Sequence, residues 1–156
     1  MFSVARESVL SCYASFVQPA SANCNYLFAV VSSEPLGDAA RTALASSAEA
    51  LGYGKAGCFF IHTIGADRRT LEPKEVFELI EGIDPLALVV ADKNAALTLS
   101  HAYRTAEGPR VLDPLKVQAI LGRDSVVFDS FEGMLTTLDA KQRAWALLKK
   151  LPRLGN

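Results

Sequence analysis

The chain has 156 residues, 50% of them apolar and 21% charged, with a formal net charge of −1. That is the length of one domain with a full core, and the balance of a globular protein rather than a disordered one. Sixteen basic against seventeen acidic residues argue against a strong sequence-independent nucleic-acid footprint, and no apolar run approaches the roughly 18 to 20 residues that span a bilayer.

Residues 1–156 are therefore expected to form a single domain, with residues 1–25 as an N-terminal helix and connector. A Pro-Ala-Ser-Ala-Asn stretch near the start could pass for a signal-peptide cleavage site, but Arg6, Glu7, Ser8 and Ser11 interrupt the apolar region that would precede it. No membrane attachment is expected, and the cytoplasm is the default location. Cys12, Cys24 and Cys58 are odd in number and lack Cys-x-x-Cys spacing, so they read as reduced thiols. With only His62 and His101 beside them, neither a metal nor a cofactor is expected.

In chain order, Val9, Cys12, Tyr13, Phe16 and Val17 recur at spacings of three and four, which predicts an amphipathic helix over residues 3–18. Tyr26 to Ser32 reads as a buried parallel strand. Its carboxyl end carries Ser33, Glu34, Pro35, Leu36 and Gly37 just before a helix capped at Asp38. Ala40, Leu44, Ala48 and Leu51 form that helix's apolar face, Gly52-Tyr53-Gly54 stops it, and Gly57 to Thr63 is the second strand. Strand, helix, strand makes a right-handed βαβ unit. A polar loop with Arg68 and Arg69 leads to a helix with Pro73 in its first turn and Val76, Phe77 and Ile80 facing inward.

Leu86 to Ala91 is the third strand, and Asp92 caps a helix from Asn94 to about Tyr103. Residues 104–114 read as an exposed loop. Val117 to Leu121 and Ser125 to Phe128, parted by a Gly-Arg-Asp turn, fit either a short hairpin or one strand with a lead-in. Asp129 to Leu138 is loop or a helical turn, and a last helix from Asp139 turns Ala140, Ala144, Leu147, Leu148 and Leu151 inward. Its Lys141, Arg143, Lys149, Lys150 and Arg153 read as a solvated face. The alternation predicts an α/β protein, a three-layer αβα sandwich around a mainly parallel four-stranded sheet.

Ligands of open α/β sheets sit at the carboxyl ends of the strands, which selects the candidate site residues. Glu34, in a loop without the glycines of a dinucleotide fingerprint or the lysine of a phosphate loop, could orient a water or a ribose hydroxyl. The plainer alternative is a solvated turn residue. Glu34, His62 and Asp129 form an acid-base set if their side chains converge; otherwise His62 is a structural histidine. Alternation sends His62 and Thr63 to opposite faces. Ser33, Gly37, Thr63, Ser130, Arg68 and Arg69 are the candidate ligand contacts. Arg104, Arg110 and Arg123 would add to a phosphate-binding rim if they gathered on the same edge.

The succession of Val-Val-Ser-Ser-Glu-Pro-Leu-Gly, Ala-Leu-Gly-Tyr-Gly, Cys-Phe-Phe-Ile-His-Thr, Leu-Glu-Pro-Lys-Glu-Val-Phe, Asp-Pro-Leu-Ala-Leu-Val-Val-Ala, Val-Phe-Asp-Ser-Phe and Asp-Ala-Lys-Gln-Arg-Ala-Trp-Ala-Leu-Leu runs from Val30 to Leu148 and carries a resemblance over residues 26–151. It resembles the uracil-DNA glycosylase superfamily, most nearly the bacterial iron-sulfur-type branch. The resemblance implies that family's fold, and its departures bear on activity. Ser33-Glu34-Pro35-Leu36-Gly37 keeps the Glu and last Gly of the family's Gly-Glu-Ala-Pro-Gly but shifts the Pro. His62 or Thr63 stands where the family has a base-reading Asn, and Phe128-Asp129-Ser130 keeps only the Ser of its His-Pro-Ser. The cluster cysteines are not matched.

Phenylalanine cannot donate a hydrogen bond to a departing uracil anion, and losing one such donor costs about 100-fold to 1,000-fold in rate. The expected function is thus a non-catalytic binding or interaction module in DNA replication or repair, with single-stranded DNA or a protein of that machinery as partner. The alternative is a divergent glycosylase or a nucleoside- or nucleotide-acting hydrolase with a site rebuilt around Glu34 and His62.

Overall fold

In a computed structural model, which describes residues 2–155, the elements in chain order begin with α1 (Phe2–Cys12), β1 (Val17–Pro19), β2 (Phe28–Ser32), α2 (Asp38–Ala50) and β3 (Cys58–His62). They continue with α3 (Pro73–Ile83), β4 (Ala87–Val90), α4 (Lys93–Ala102), β5 (Lys116–Ile120), β6 (Arg123–Val127) and α5 (Leu138–Leu148). Short 3-10 turns occupy Ala14–Phe16, Lys55–Gly57 and Glu132–Leu135. The strands lie side by side in the order β1-β3-β2-β4-β6-β5. The inner four are mutually parallel, while β1 and β5 run antiparallel at the two edges.

The α/β class holds, and the sheet is six-stranded and mixed rather than four-stranded. Both added strands come from segments with a second legible tendency. The predicted helix over 3–18 ends at Cys12, because Val17 and Pro19 favour extended backbone. On an edge strand paired only with β3, the missing N–H of Pro19 disturbs no ladder. The hairpin alternative holds for the late segment. Its turn is Leu121-Gly122 rather than Gly-Arg-Asp, with φ of 50° and 80°, the paired positive values that suit a two-residue hairpin. Arg123 therefore belongs to a strand.

Every residue of β2, β3 and β4 is buried, as strands covered on both faces must be. One face, with Phe28, Val30, Phe60 and Val89, packs against Ala40, Leu44 and Ala48 of α2 and Ala144 and Leu148 of α5. The other, with Ala29, Val31, Phe59 and Ile61, packs under α3 and α4, and Val9 and Leu10 of α1 join it at the margin. The starts of α3 and α5 follow side-chain chemistry, and that of α2 does not. Glu72 and Glu75 form a reciprocal capping box around Pro73, Thr137 caps α5, and Gly37 rather than Asp38 is the N-cap of α2.

Two features away from the carboxyl edge hold the fold together. At the amino end of β6 the buried Arg123 reaches Glu81 at 2.8 Å, Asp84 at 2.7 Å and the Pro85 carbonyl at 2.6 Å. It is a structural residue, not part of any rim. The chain's end folds back over the exit of α2, where Leu154 N–H donates to the Leu51 carbonyl at 2.9 Å and the Tyr53 hydroxyl donates to the Pro152 carbonyl. Among the described residues no helix is long and apolar enough to cross a membrane.

Candidate functional site at the carboxyl edge of the sheet

The loops following β2, β3, β4 and β6 meet at one edge, and Asp92 knits them. Its Oδ1 accepts from Ala95 N–H at 2.8 Å, the N-cap bond of α4, and its Oδ2 accepts from Ser33 N–H at 2.9 Å and Ser33 Oγ at 3.1 Å. Its backbone also bridges to Ser130. Sequence pattern shows the cap but not the bond to Ser33, because that partner lies in another crossover. Both carboxylate oxygens are thereby committed to backbone and hydroxyl donors, which suits a brace rather than a base.

Glu34 stands in solvent, its Oε1 2.9 Å from Arg68 Nη1, with 59% and 73% of the two side chains exposed. Such a pair contributes about 0 to 1 kcal/mol. Arg68 itself takes a left-handed turn conformation, φ 68°, in a loop closed by an Ile64–Thr70 bridge. Arg69 faces away from Glu34, bonding Glu75 at 2.6 Å and stacking over the Phe16 ring at 5.2 Å. Gly37 N–H donates at 2.8 Å to Glu132 Oε2, so a carboxylate of the chain itself occupies the head of α2. No local pattern marks Glu132 for that role. Its exposed neighbour Ser130 is used nearby, its Oγ accepting from Gly133 N–H at 3.0 Å.

His62 is buried, and it pairs in register with Ser32. Following Cys58 and Phe60 by alternation, it lies on the α2 face of the sheet. Its pKa is lowered, first by burial and then by the positive charge of Arg41, a residue of α2 whose guanidinium stacks over the Phe60 ring at 5.4 Å. Thr63 is buried too, with its N–H on the Ser32 carbonyl at 3.0 Å and its carbonyl taking Leu71 N–H at 2.7 Å.

Asp129 is exposed and lines a groove of about 390 Å³ with Lys93, Ala96 and Leu97 of α4, on the opposite side of the sheet from α2. The structure thus brings the four loops together but not the three candidate acid-base side chains. Of the cysteines, Cys12 is exposed, the half-buried Cys24 donates its thiol to the Cys58 carbonyl at 3.5 Å, and burial pushes the Cys58 thiol up to about 12. The residues present do not fit an iron-sulfur cluster. No group of three or more His, Cys, Asp or Glu is placed to hold a metal ion among the described residues.

His62 makes stability depend on pH. An unfolded histidine titrates near 6.5, above its value in the folded chain, so between the two the unfolded state binds more protons and stability rises with pH. The unfolding free energy is expected to fall as pH drops below about 6.5. Urea denaturation across that range should show this slope in the natural chain and a flatter one in His62→Gln; equal slopes would mean that His62 is solvated.

No protein-family model matches this sequence, and no curated protein matches it either.

Proposed function

We propose that this chain is a non-catalytic protein of the uracil-DNA glycosylase-like group, acting as an interaction module. The observation that carries the reading is the separation of the candidate groups: His62 on the α2 face, Asp129 on the α4 face, and Glu34 in solvent on Arg68. Acid-base chemistry needs such groups within hydrogen-bond reach of one reacting centre. Phe128, at the position of the resembling family's late histidine, is fully buried with its ring 5.2 Å from that of Phe131. It supplies packing and no donor.

The parallel inner strands, ordered β3-β2-β4-β6, support the resemblance in layout. Layout alone carries no activity. A role in DNA replication or repair, through a protein partner and with weak or no binding of single-stranded DNA, belongs to the same proposal. The test uses single-stranded oligonucleotides that differ only in one uracil or thymine, read by alkaline strand scission and by fluorescence anisotropy at two salt concentrations. No scission and no preference for uracil are expected. Excision, or binding that depends on uracil, would overturn the reading and make Glu34→Gln the next variant.

A further inference from the structure

One face of the sheet lies under three helices, α1, α3 and α4, whereas the other has only α2 and α5. Between those two helices a cleft of about 360 Å³ remains open. Its α2 wall is Ala39, Ala43 and Ser47, a row at four-residue spacing whose small side chains let another backbone approach. Its α5 wall presents Trp145, the chain's single tryptophan, which is only half-buried, and the buried Phe131 lies beneath. Two helical turns before Trp145 on the same stripe, Leu138 is 72% exposed.

The α5 side of the rim is cationic. Lys141 lines the cleft, and Lys149 places its ammonium 5.9 Å from the Trp145 ring centroid. Among the described residues no carboxylate lines the cleft; Glu132, between Phe131 and Leu135, is engaged by Gly37 N–H at the head of α2, and Asp139, the single carboxylate of α5, is paired with Arg143 at 3.6 Å.

We infer that this cleft docks an amphipathic helix of a partner protein, with apolar residues at i, i+3 or i+4 and i+7 and carboxylates along its flanks. The inference rests on the interaction-module reading and names the partner's chemistry. Leu138 and Trp145 stand about 10 Å apart along α5, two turns of any helix laid beside it, and the alkyl walls match helix-in-groove recognition. Charge complementarity chooses an acidic partner, with Lys141 and Lys149 placed to meet its carboxylates. Single-stranded nucleic acid would stack on an open aromatic face. Here the ring of Trp145 is already covered by Lys149 and edged by alkyl groups.

Because Trp145 is the single tryptophan, its emission reports the cleft directly. The probe is a helical peptide of about 18 residues, long enough to fold, with leucines on one stripe and glutamates on both flanks. Its controls are the same peptide with lysine for glutamate, and a single-stranded oligothymidylate. The acidic peptide is expected to shift the emission to shorter wavelength saturably, with affinity falling as salt rises. Leu138→Ser, Lys141→Glu and Ala39→Glu alter exposed positions that the fold does not need, and each is expected to weaken binding about tenfold or more. No shift with the acidic peptide, equal binding of the lysine peptide, or a response to the oligonucleotide alone would overturn the inference. Peptide binding together with uracil excision would sink only the non-catalytic reading; absence of both would sink only this one.

Discussion

Replacing Arg123 with alanine is expected to lower the unfolding free energy by about 3 kcal/mol, the lower end of what breaking a buried ion pair costs. Its side chain is 7% exposed, against 30% for Glu81 and 60% for Asp84, so water rescues the carboxylates in part. Burial works against the guanidinium's charge, but the bonds to Glu81 and then Asp84 outweigh it, and the pKa of Arg123 stands above its ordinary value. The Tyr103 hydroxyl donates to the same Glu81 oxygen at 2.6 Å, and burial, followed by that bond, raises the Tyr103 pKa. One arginine therefore ties the amino end of β6 to the end of α3 and, through Glu81, to the end of α4. Lysine cannot replace its fork. For a chain of this size the loss corresponds to a melting temperature lower by about 6 to 12 °C. Urea denaturation of Arg123→Ala and Glu81→Gln checks it, with the arginine variant the more damaged; a loss under about 1 kcal/mol for Arg123→Ala would show that the cluster behaves as a surface pair.

The second large effect is expected at Gly52, just after α2. Its φ is 95°, and a Cβ placed there would lie 1.9 Å from the Leu154 carbonyl oxygen. Alanine meets two costs. Left-handed backbone takes about 1 to 2 kcal/mol, and the collision is with backbone, so the returning C-terminal segment must lift away and forfeit the Leu154 to Leu51 hydrogen bond. A total near 3 kcal/mol is expected for Gly52→Ala. Gly122 supplies the control: its φ is 80°, but nothing lies within 4 Å of its added Cβ. Gly122→Ala should cost only the conformational part, about 1 to 2 kcal/mol. Equal denaturation midpoints for the two variants would mean that residues 151–155 contribute nothing to the fold.

Elements written in local pattern were legible in the chain. The runs that became β2, β3 and β4 are continuous and apolar because both of their faces are covered, and no partner is needed to see that. The Asp92 cap and the Pro73 start were equally plain, since a cap bonds backbone three residues away. Segments carrying two tendencies were not. Phe16 and Val17 continue a helical stripe, but Val17 also fits an edge strand, and pairing with β3 chose the strand for it while Phe16 closes a 3-10 turn. Arg123 looked like a connector residue until the position of the hairpin turn moved it into β6 and under α3.

The candidate site divides the same way. That Ser33, Glu34, His62, Thr63, Arg68, Asp92 and Ser130 gather at one edge followed from strand order along the chain, because every crossover returns each strand in the same direction. Whether their side chains meet depended on faces and partners that the chain order does not carry. Asp92 bonds Ser33 across 59 positions and Glu132 reaches Gly37 across 95. Such bonds exist only after the sheet has closed the distance. Apolar periodicity, turn chemistry and caps act within a few residues, so the sequence by itself determined the α/β class, the buried strands and the edge where the loops meet. The edge strands, the separation of Glu34, His62 and Asp129, and the cleft between α2 and α5 were decided by tertiary structure, where the competition is between distant groups for the same space.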